Sequence, residues 1–274
     1  MQTGEIQLNN TFYEIELPSP DVRLSPSLNW GSIDAFPSPA YWAYQVLAKR
    51  ICGGFRTYRL GSTLREEVCA CILGGHGIPA RIGLAAFQRL KSYGIFEEKT
   101  PELKKLEAVL ASPLKLQNHY INYRFAKQKA KYLHAAMIKL DEEEAVEDSG
   151  QGLRNWLLDI PGIGLKTASW IARNWLSADD VAIIDIHIYR AGIIGGYFDP
   201  ILVIPKDYLY LEEQFIVFCH ALGVRPSELD AVIWYEMMKS PNTVHKLIDE
   251  SVYLSSLFKN NTSSSSKKRH PYSK

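Results

Sequence analysis

The sequence predicts a mainly α-helical protein, and three observations carry that prediction. Apolar residues recur at helical spacing in segment after segment, and only the piece around Phe12 to Leu17 alternates as a strand does. Glycine and proline fall mostly between the periodic segments, where they end one element and start the next. A chain of 274 residues with 46% hydrophobic and 22% charged residues also carries enough apolar material for one large or two small cores.

The elements follow in order. Residues 1–38, rich in Pro, Ser and Asn, read as an N-terminal arm containing one short strand or extended piece and no visible chemistry. A helix starts near Pro39 and ends at Gly53-Gly54. Val68, Ile72 and Leu73 mark a buried helix that stops at Gly74-Gly75, and Ile82, Ala85, Ala86 and Leu90 open another. Thr100 to Leu140 reads as two helices. The second, Tyr123 to Leu140, carries Arg124, Lys127, Lys129 and Lys131, either a basic wall for a nucleic acid or, for most of them, a solvated face. An acidic loop, Asp141 to Gly152, precedes a short helix ending at Ile160. The turn Pro161-Gly162-Ile163-Gly164 then leads into a helix from Leu165 to about Leu176. Two more helices follow, Lys206 to Gly223 and Leu229 to Met238, the latter opened by Pro226-Ser227-Glu228. Residues 259–274 are low-complexity and are expected to form a disordered polar tail.

The chemistry concentrates between Gly152 and Arg190. Gly162 and Gly164, after a proline, make a turn in which backbone can approach a partner closely. A helix opening straight after the turn points unpaired N–H groups outward, and such a terminus favours an anion. The segment is therefore a backbone phosphate clamp or a plain helix connector. Lys166 in the first turn opposes the helix dipole, so some other reason must place it there. Ala168, Ala172 and Trp175 share a stripe fit for burial, whereas Lys166, Trp170 and Arg173 share another face. Asp185, after the apolar run Val181 to Ile184, reads as the N-cap of the next helix. A lysine amine can attack an electrophilic sugar carbon and go on to a Schiff base. It must be neutral to do so, and burial lowers a lysine pKa from ~10.4. A carboxylate can support the positive charge that develops on the sugar.

The totals bound the alternatives. Lys plus Arg 31 against Asp plus Glu 30 gives a net charge of +1, so any affinity for DNA must come from local patches. No eighteen-residue apolar run suggests a membrane span, and no signal peptide is evident, so a cytoplasmic location is expected, nucleoid-associated in a prokaryote. Cys52, Cys69, Cys71 and Cys219 are dispersed, without a CxxC pair, and are expected to be free thiols rather than metal ligands. No acidic cluster points to a catalytic divalent metal.

LDIPGIGLKTASWIARN followed by IIDIHIYRA resembles the signature of the helix-hairpin-helix DNA glycosylases. More narrowly, KTASWIARN and ELDAVIWYE are similar to the bacterial and archaeal 8-oxoguanine DNA glycosylase/AP lyases. The weaker likeness in helix pattern extends over roughly Ala40 to Ser240. The resemblance implies one glycosylase domain over residues 39–258, its hairpin unit at 153–176, with two helical sub-domains flanking a DNA-binding cleft. It implies excision of 8-oxoguanine or a related oxidised purine, with Lys166 as the nucleophile and Asp185 as the essential carboxylate. Relatives that only cleave the base carry another residue at the Lys166 position.

A base turned out of the stack must be gripped between flat surfaces. Trp170 and Trp234 suit that sandwich; Asp230 suits a guanine-type edge, and Arg173 a carbonyl or the Asp230 carboxylate. Core packing for the tryptophans, an exposed Arg173 and an N-terminal cap from Asp230 are the bland alternatives. In the resembled family the loop between the helices at Gly74 and Ile82 enters the minor groove. His76 or Ile78 would be its wedge, and Arg81 would hold the estranged base or a phosphate. His187, two residues past Asp185 on a helix, faces away from it and is expected to be structural. The expected partner is double-stranded DNA with a damaged base, bound by a monomer. No organic cofactor is implied and no iron–sulfur cluster is expected, since only Cys219 follows the aspartate. The resemblance allows a monovalent cation on the hairpin carbonyls.

Overall fold

The computed structural model describes residues 1–55, 58–75, 77–117 and 119–249. They form a mainly helical protein divided into two compact units. One contains residues 1–54 and the chain from Ile184 onward; the other is the continuous stretch Phe55–Ile183. The expected tail, 259–274, lies outside the described residues.

The first unit begins with two small antiparallel hairpins. Strand β1 (Gln2–Leu8) pairs with β2 (Thr11–Leu17), and β3 (Arg23–Ser25) with β4 (Leu28–Asn29). The β1–β2 turn places Asn9 and Asn10 at φ 48° and 63°, the left-handed pair that a two-residue hairpin loop requires and that asparagine tolerates. Residues 1–38 thus contain four short strands, with Ile15 and Leu17 buried and Tyr44 of the first helix donating to the Glu5 carbonyl at 3.0 Å. That helix, α1 (Pro39–Ile51), has Pro39 in its first turn and the Ser38 hydroxyl accepting from Tyr41 N at 3.0 Å. Helices α8 (Ile186–Gly195), α9 (Tyr208–Leu222) and α10 (Pro226–Lys239) follow, with residues 241–249 also helical, and α10 packs on α1, α8 and α9.

The second unit holds α2 (Leu64–Leu73), α3 (Ala80–Ser92), α4 (Leu103–Ala111), α5 (Ala126–Glu142), α6 (Gly150–Leu157) and α7 (Leu165–Leu176). Its core joins Ile72, Leu90, Leu110, Leu133, Leu157 and Ile171, all fully buried. Between α4 and α5, where the sequence shows only helical periodicity, lies a short hairpin of β5 (Leu114–Leu116) and β6 (His119–Ile121). Three-residue strands are too brief for alternation to register. Among the described residues no helix is long and apolar enough to cross a membrane.

Candidate active site

The hairpin is built from the core outward. The Ser149 hydroxyl caps α6 by accepting from Gly152 N at 2.9 Å. Ile160 and Ile163 turn into the core, and Ile163 N donates to the Ile160 carbonyl at 3.1 Å. Those two anchors leave Gly162 and Gly164 outermost and exposed. Gly162 has φ +87°, and a Cβ built there would lie 2.5 Å from both Cε2 and Cγ of Tyr132 on α5. Only glycine meets both conditions. Gly164 is the N-cap of α7 and caps it with no side chain; nothing lies within 4 Å of a Cβ built there. The first N–H groups of α7 therefore open onto a cleared backbone surface, the arrangement that suits an anion. Lys166, the second residue of α7, is exposed beside them.

Along α7 the expected stripe of Ala168 and Ala172 is fully buried and Trp175 half-buried. The other face does not stay open along its length. Lys166 is exposed and Trp170 half-buried against the core, but Arg173 is only 6% exposed. Its guanidinium donates to Asn174 Oδ1 at 2.9 Å and lies 4.7 Å from the Tyr58 ring centroid. Asn174 Nδ2 donates to the buried Glu67 carboxylate at 3.0 Å and to the Tyr58 carbonyl at 2.9 Å. Glu67 Oε2 in turn accepts from Leu60 N and Gly61 N. The reading of Arg173 as an exposed helix residue is therefore corrected: α2 and residues 58–61 cover that end of α7.

The glycine-rich loop between α2 and α3 carries Gly75 at φ +103° and Gly77 at φ +76°. Gly74 caps α2 and lies against Trp170, whose Cη2 is 3.5 Å from a Cβ built on the glycine. Arg81 is exposed in the first turn of α3. The expected wedge His76 lies outside the described residues, while Ile78 N donates to the Gly75 carbonyl at 3.1 Å. Sequence reasoning missed Phe125, the N-cap residue of α5, and Tyr132, and read Lys129 only as one of a row of basic residues. Phe125, Lys129 and Tyr132 border a cavity of about 260 Å³, with Gly74 and Gly75 on one side and Gly162 and Thr167 on the other. Of the basic residues on this helix, Arg124, Lys127 and Lys131 are exposed, but Lys129 is half-buried. Its ammonium donates to the carbonyls of Ile72 at 2.6 Å and Gly74 at 3.1 Å, and burial lowers its pKa from the ordinary lysine value.

In the first unit Asp185 is the N-cap of α8, as expected. Its Oδ1 accepts from His187 N at 2.8 Å and Ile188 N at 3.0 Å, and the residue is 9% exposed. Both bonds end on one oxygen, which fixes the rotamer and leaves Oδ2 outside the cap. The His187 side chain reaches α10. Its ring stands edge-on to Trp234, with centroids 6.3 Å apart and planes at 79°. Trp234 is 45% exposed and Asp230, one turn back, 4%. The acid that reaches back to the start of α10 is Glu228, which accepts from Arg225 N at 3.2 Å, so Asp230 is not the acid of that box. Cys69, Cys71 and Cys219 are buried free thiols and Cys52 an exposed one.

Residues 55–224 match the family model described as 8-oxoguanine DNA glycosylase. Among curated relatives, an 8-oxoguanine DNA glycosylase/AP lyase of Metallosphaera sedula is 31% identical over 201 residues, covering 69% of this chain and 91% of its own. One of Methanocaldococcus jannaschii is 35% identical over 175 residues, covering 62% of this chain and 78% of its own. The crystal structure of the M. jannaschii 8-oxoguanine DNA glycosylase superposes with a TM-score of 0.55 at 25% identity, over 73% of this chain and 94% of that one. The enzyme of Thermotoga maritima shares the fold, with a TM-score of 0.54 at 21% identity over 72% of this chain and 96% of that one.

Proposed function

Because the chain belongs to the 8-oxoguanine DNA glycosylase family, we propose that it excises 8-oxoguanine from double-stranded DNA and then cleaves the strand through a lysine Schiff base. The observation that carries the chemistry is an exposed Lys166 at the uncapped N-terminus of α7, immediately after the Gly162–Gly164 turn. The turn and the first N–H groups of α7 hold a backbone phosphate. The neutral Lys166 amine attacks C1′ of the damaged nucleotide, and the C1′–N9 bond breaks with its electron pair leaving on the base, which is then protonated. Asp185, held by its bonds to α8, supports the positive charge on the sugar. The adduct opens to a Schiff base between Nζ and C1′. Loss of a C2′ proton then expels the 3′ phosphate by β-elimination.

Lys166 is exposed in the free protein, so its amine is open to approach by the DNA. Trp170 of the second unit is a stacking face for the everted base in this reading, and Trp234 and Asp230 of the first unit are base-binding residues. Arg173, already engaged by Asn174 and Tyr58, is held in place on the same helix as Trp170. Gly75, Gly77 and Arg81 meet the duplex beside the vacated position, with Phe125 next to them as a wedge. A monovalent cation on the hairpin carbonyls is compatible with the turn. The protein works as a monomer on chromosomal DNA in the cytoplasm.

Borohydride trapping tests the proposal. Wild-type protein is expected to form a covalent adduct with a duplex containing 8-oxoguanine and with an abasic duplex. Lys166→Gln should lose both adducts while retaining DNA binding. An adduct with abasic DNA alone would mean a different base preference, and no adduct with either would leave only a DNA-binding protein.

A further inference from the structure

Helix α5 reaches both glycine segments of the second unit from one face. Phe125, Lys129 and Tyr132 fall at i, i+4 and i+7, so their side chains lie in a row. Phe125 Cε2 is 3.9 Å from a Cβ built on Gly77. Lys129 donates to the Ile72 and Gly74 carbonyls at the end of α2, where a cation also meets the negative pole of the helix. The Tyr132 ring lies flush against Gly162 at the positive-φ bend of the hairpin. Its hydroxyl accepts from Gln128 Nε2 at 2.8 Å, which ties the ring to the preceding turn of α5. The cavity of about 260 Å³ is the space this row spans.

We propose that Tyr132 is a positioning residue for the proposed lyase chemistry: with Lys129 it sets the spacing between the glycine-rich loop and the hairpin that carries Lys166. The inference rests on the proposed function, in which both segments meet the same duplex. Ile160 and Ile163 anchor the hairpin from the core, but its two exposed glycines carry no side chain that could brace it from outside. Tyr132 supplies that brace by filling the space into which Gly162 would move, so the phosphate site and Lys166 stay in register with the loop. A shift of about 1 Å in such a site costs on the order of 10²-fold in rate.

The test compares Tyr132→Ala with Tyr132→Phe, and with Tyr132→Leu should the alanine variant fail to fold. In single-turnover borohydride trapping at saturating protein, Tyr132→Ala should slow the rate constant by about 10²-fold on both 8-oxoguanine and abasic duplexes. Tyr132→Phe, which keeps the ring, should stay within about three-fold. A merely structural role would reduce the trapped fraction and the melting temperature while leaving the rate constant of the active fraction unchanged, and that result overturns the proposal. Hydrogen exchange in the free protein reads the same device without catalysis. Amides 162–165 should exchange at least about ten-fold faster in Tyr132→Ala, with the C-terminal half of α7 unchanged. Unaltered exchange there defeats the inference even if the enzyme traps DNA, whereas a wild type that traps nothing defeats the functional reading instead.

Discussion

Gly162 and Gly164 stand two residues apart and are equally exposed, yet their environments demand different things. Gly162 needs glycine twice over, for its φ of +87° and for the Tyr132 ring beside it. Gly164 has φ −102° and ψ 176°, an extended conformation open to any residue, with clear space around it. Gly162→Ala should therefore cost about 2–4 kcal/mol, from the left-handed backbone and the overlap with the ring. Gly164→Ala should cost less, about 0.5–1 kcal/mol, because glycine is the better N-cap residue of the two. Urea unfolding of the two variants measures both. If Gly164 serves to let a phosphate approach, its alanine variant should still lose DNA affinity, because the added methyl occupies the space the anion uses.

At the scale of elements, Asp185 performs two tasks that substitution can separate. As a cap it needs an oxygen acceptor for the His187 and Ile188 amides; as a catalytic group it needs a negative charge. Asp185→Asn keeps the acceptor and should leave the melting temperature nearly unchanged while abolishing base excision. Asp185→Ala loses both and should cost about 1 kcal/mol as well. Equal destabilisation by the two variants would mean that the charge, not the hydrogen bonds, stabilises the start of α8. The connection ahead of α2 is tied down in a comparable way. Glu67 gathers Leu60 N, Gly61 N and Asn174, and Arg59 lies over the Trp175 ring at 4.0 Å while donating to the Trp175 carbonyl. Helix α7 is thus gripped at its C-terminal end by residues more than a hundred positions earlier, leaving its N-terminal end exposed.

Across the whole molecule, buried ionisable groups give stability an alkaline limit. Burial holds the Cys69 thiol up at about 12 against an ordinary 9.0, and Cys71 and Tyr123 are raised by burial too. In the first unit Tyr41 is pushed up to about 12, by burial first and then by Glu236. The unfolded chain loses these protons from about pH 9 upward while the folded chain keeps them. The unfolded state therefore binds fewer protons in that window, and stability falls as pH rises. The melting temperature should decline steadily between about pH 8.5 and 11, and Cys69→Ala should flatten the slope. A melting temperature independent of pH over this range would contradict the assignment.

The sequence by itself determined the helices, their punctuation and the residues of the catalytic reading. Periodicity, N-caps and glycine stops depend on neighbours within about four positions, so α1, α7 and the Asp185 cap were legible without coordinates. Tertiary packing alone decided three other matters: that Arg173 is buried, that Lys129 anchors the end of α2, and that Tyr132 braces Gly162. Each depends on a partner thirty to more than a hundred residues away, brought near by the second unit's core. A helix face read from its own sequence shows which residues can point the same way. It does not show what the rest of the chain folds against them.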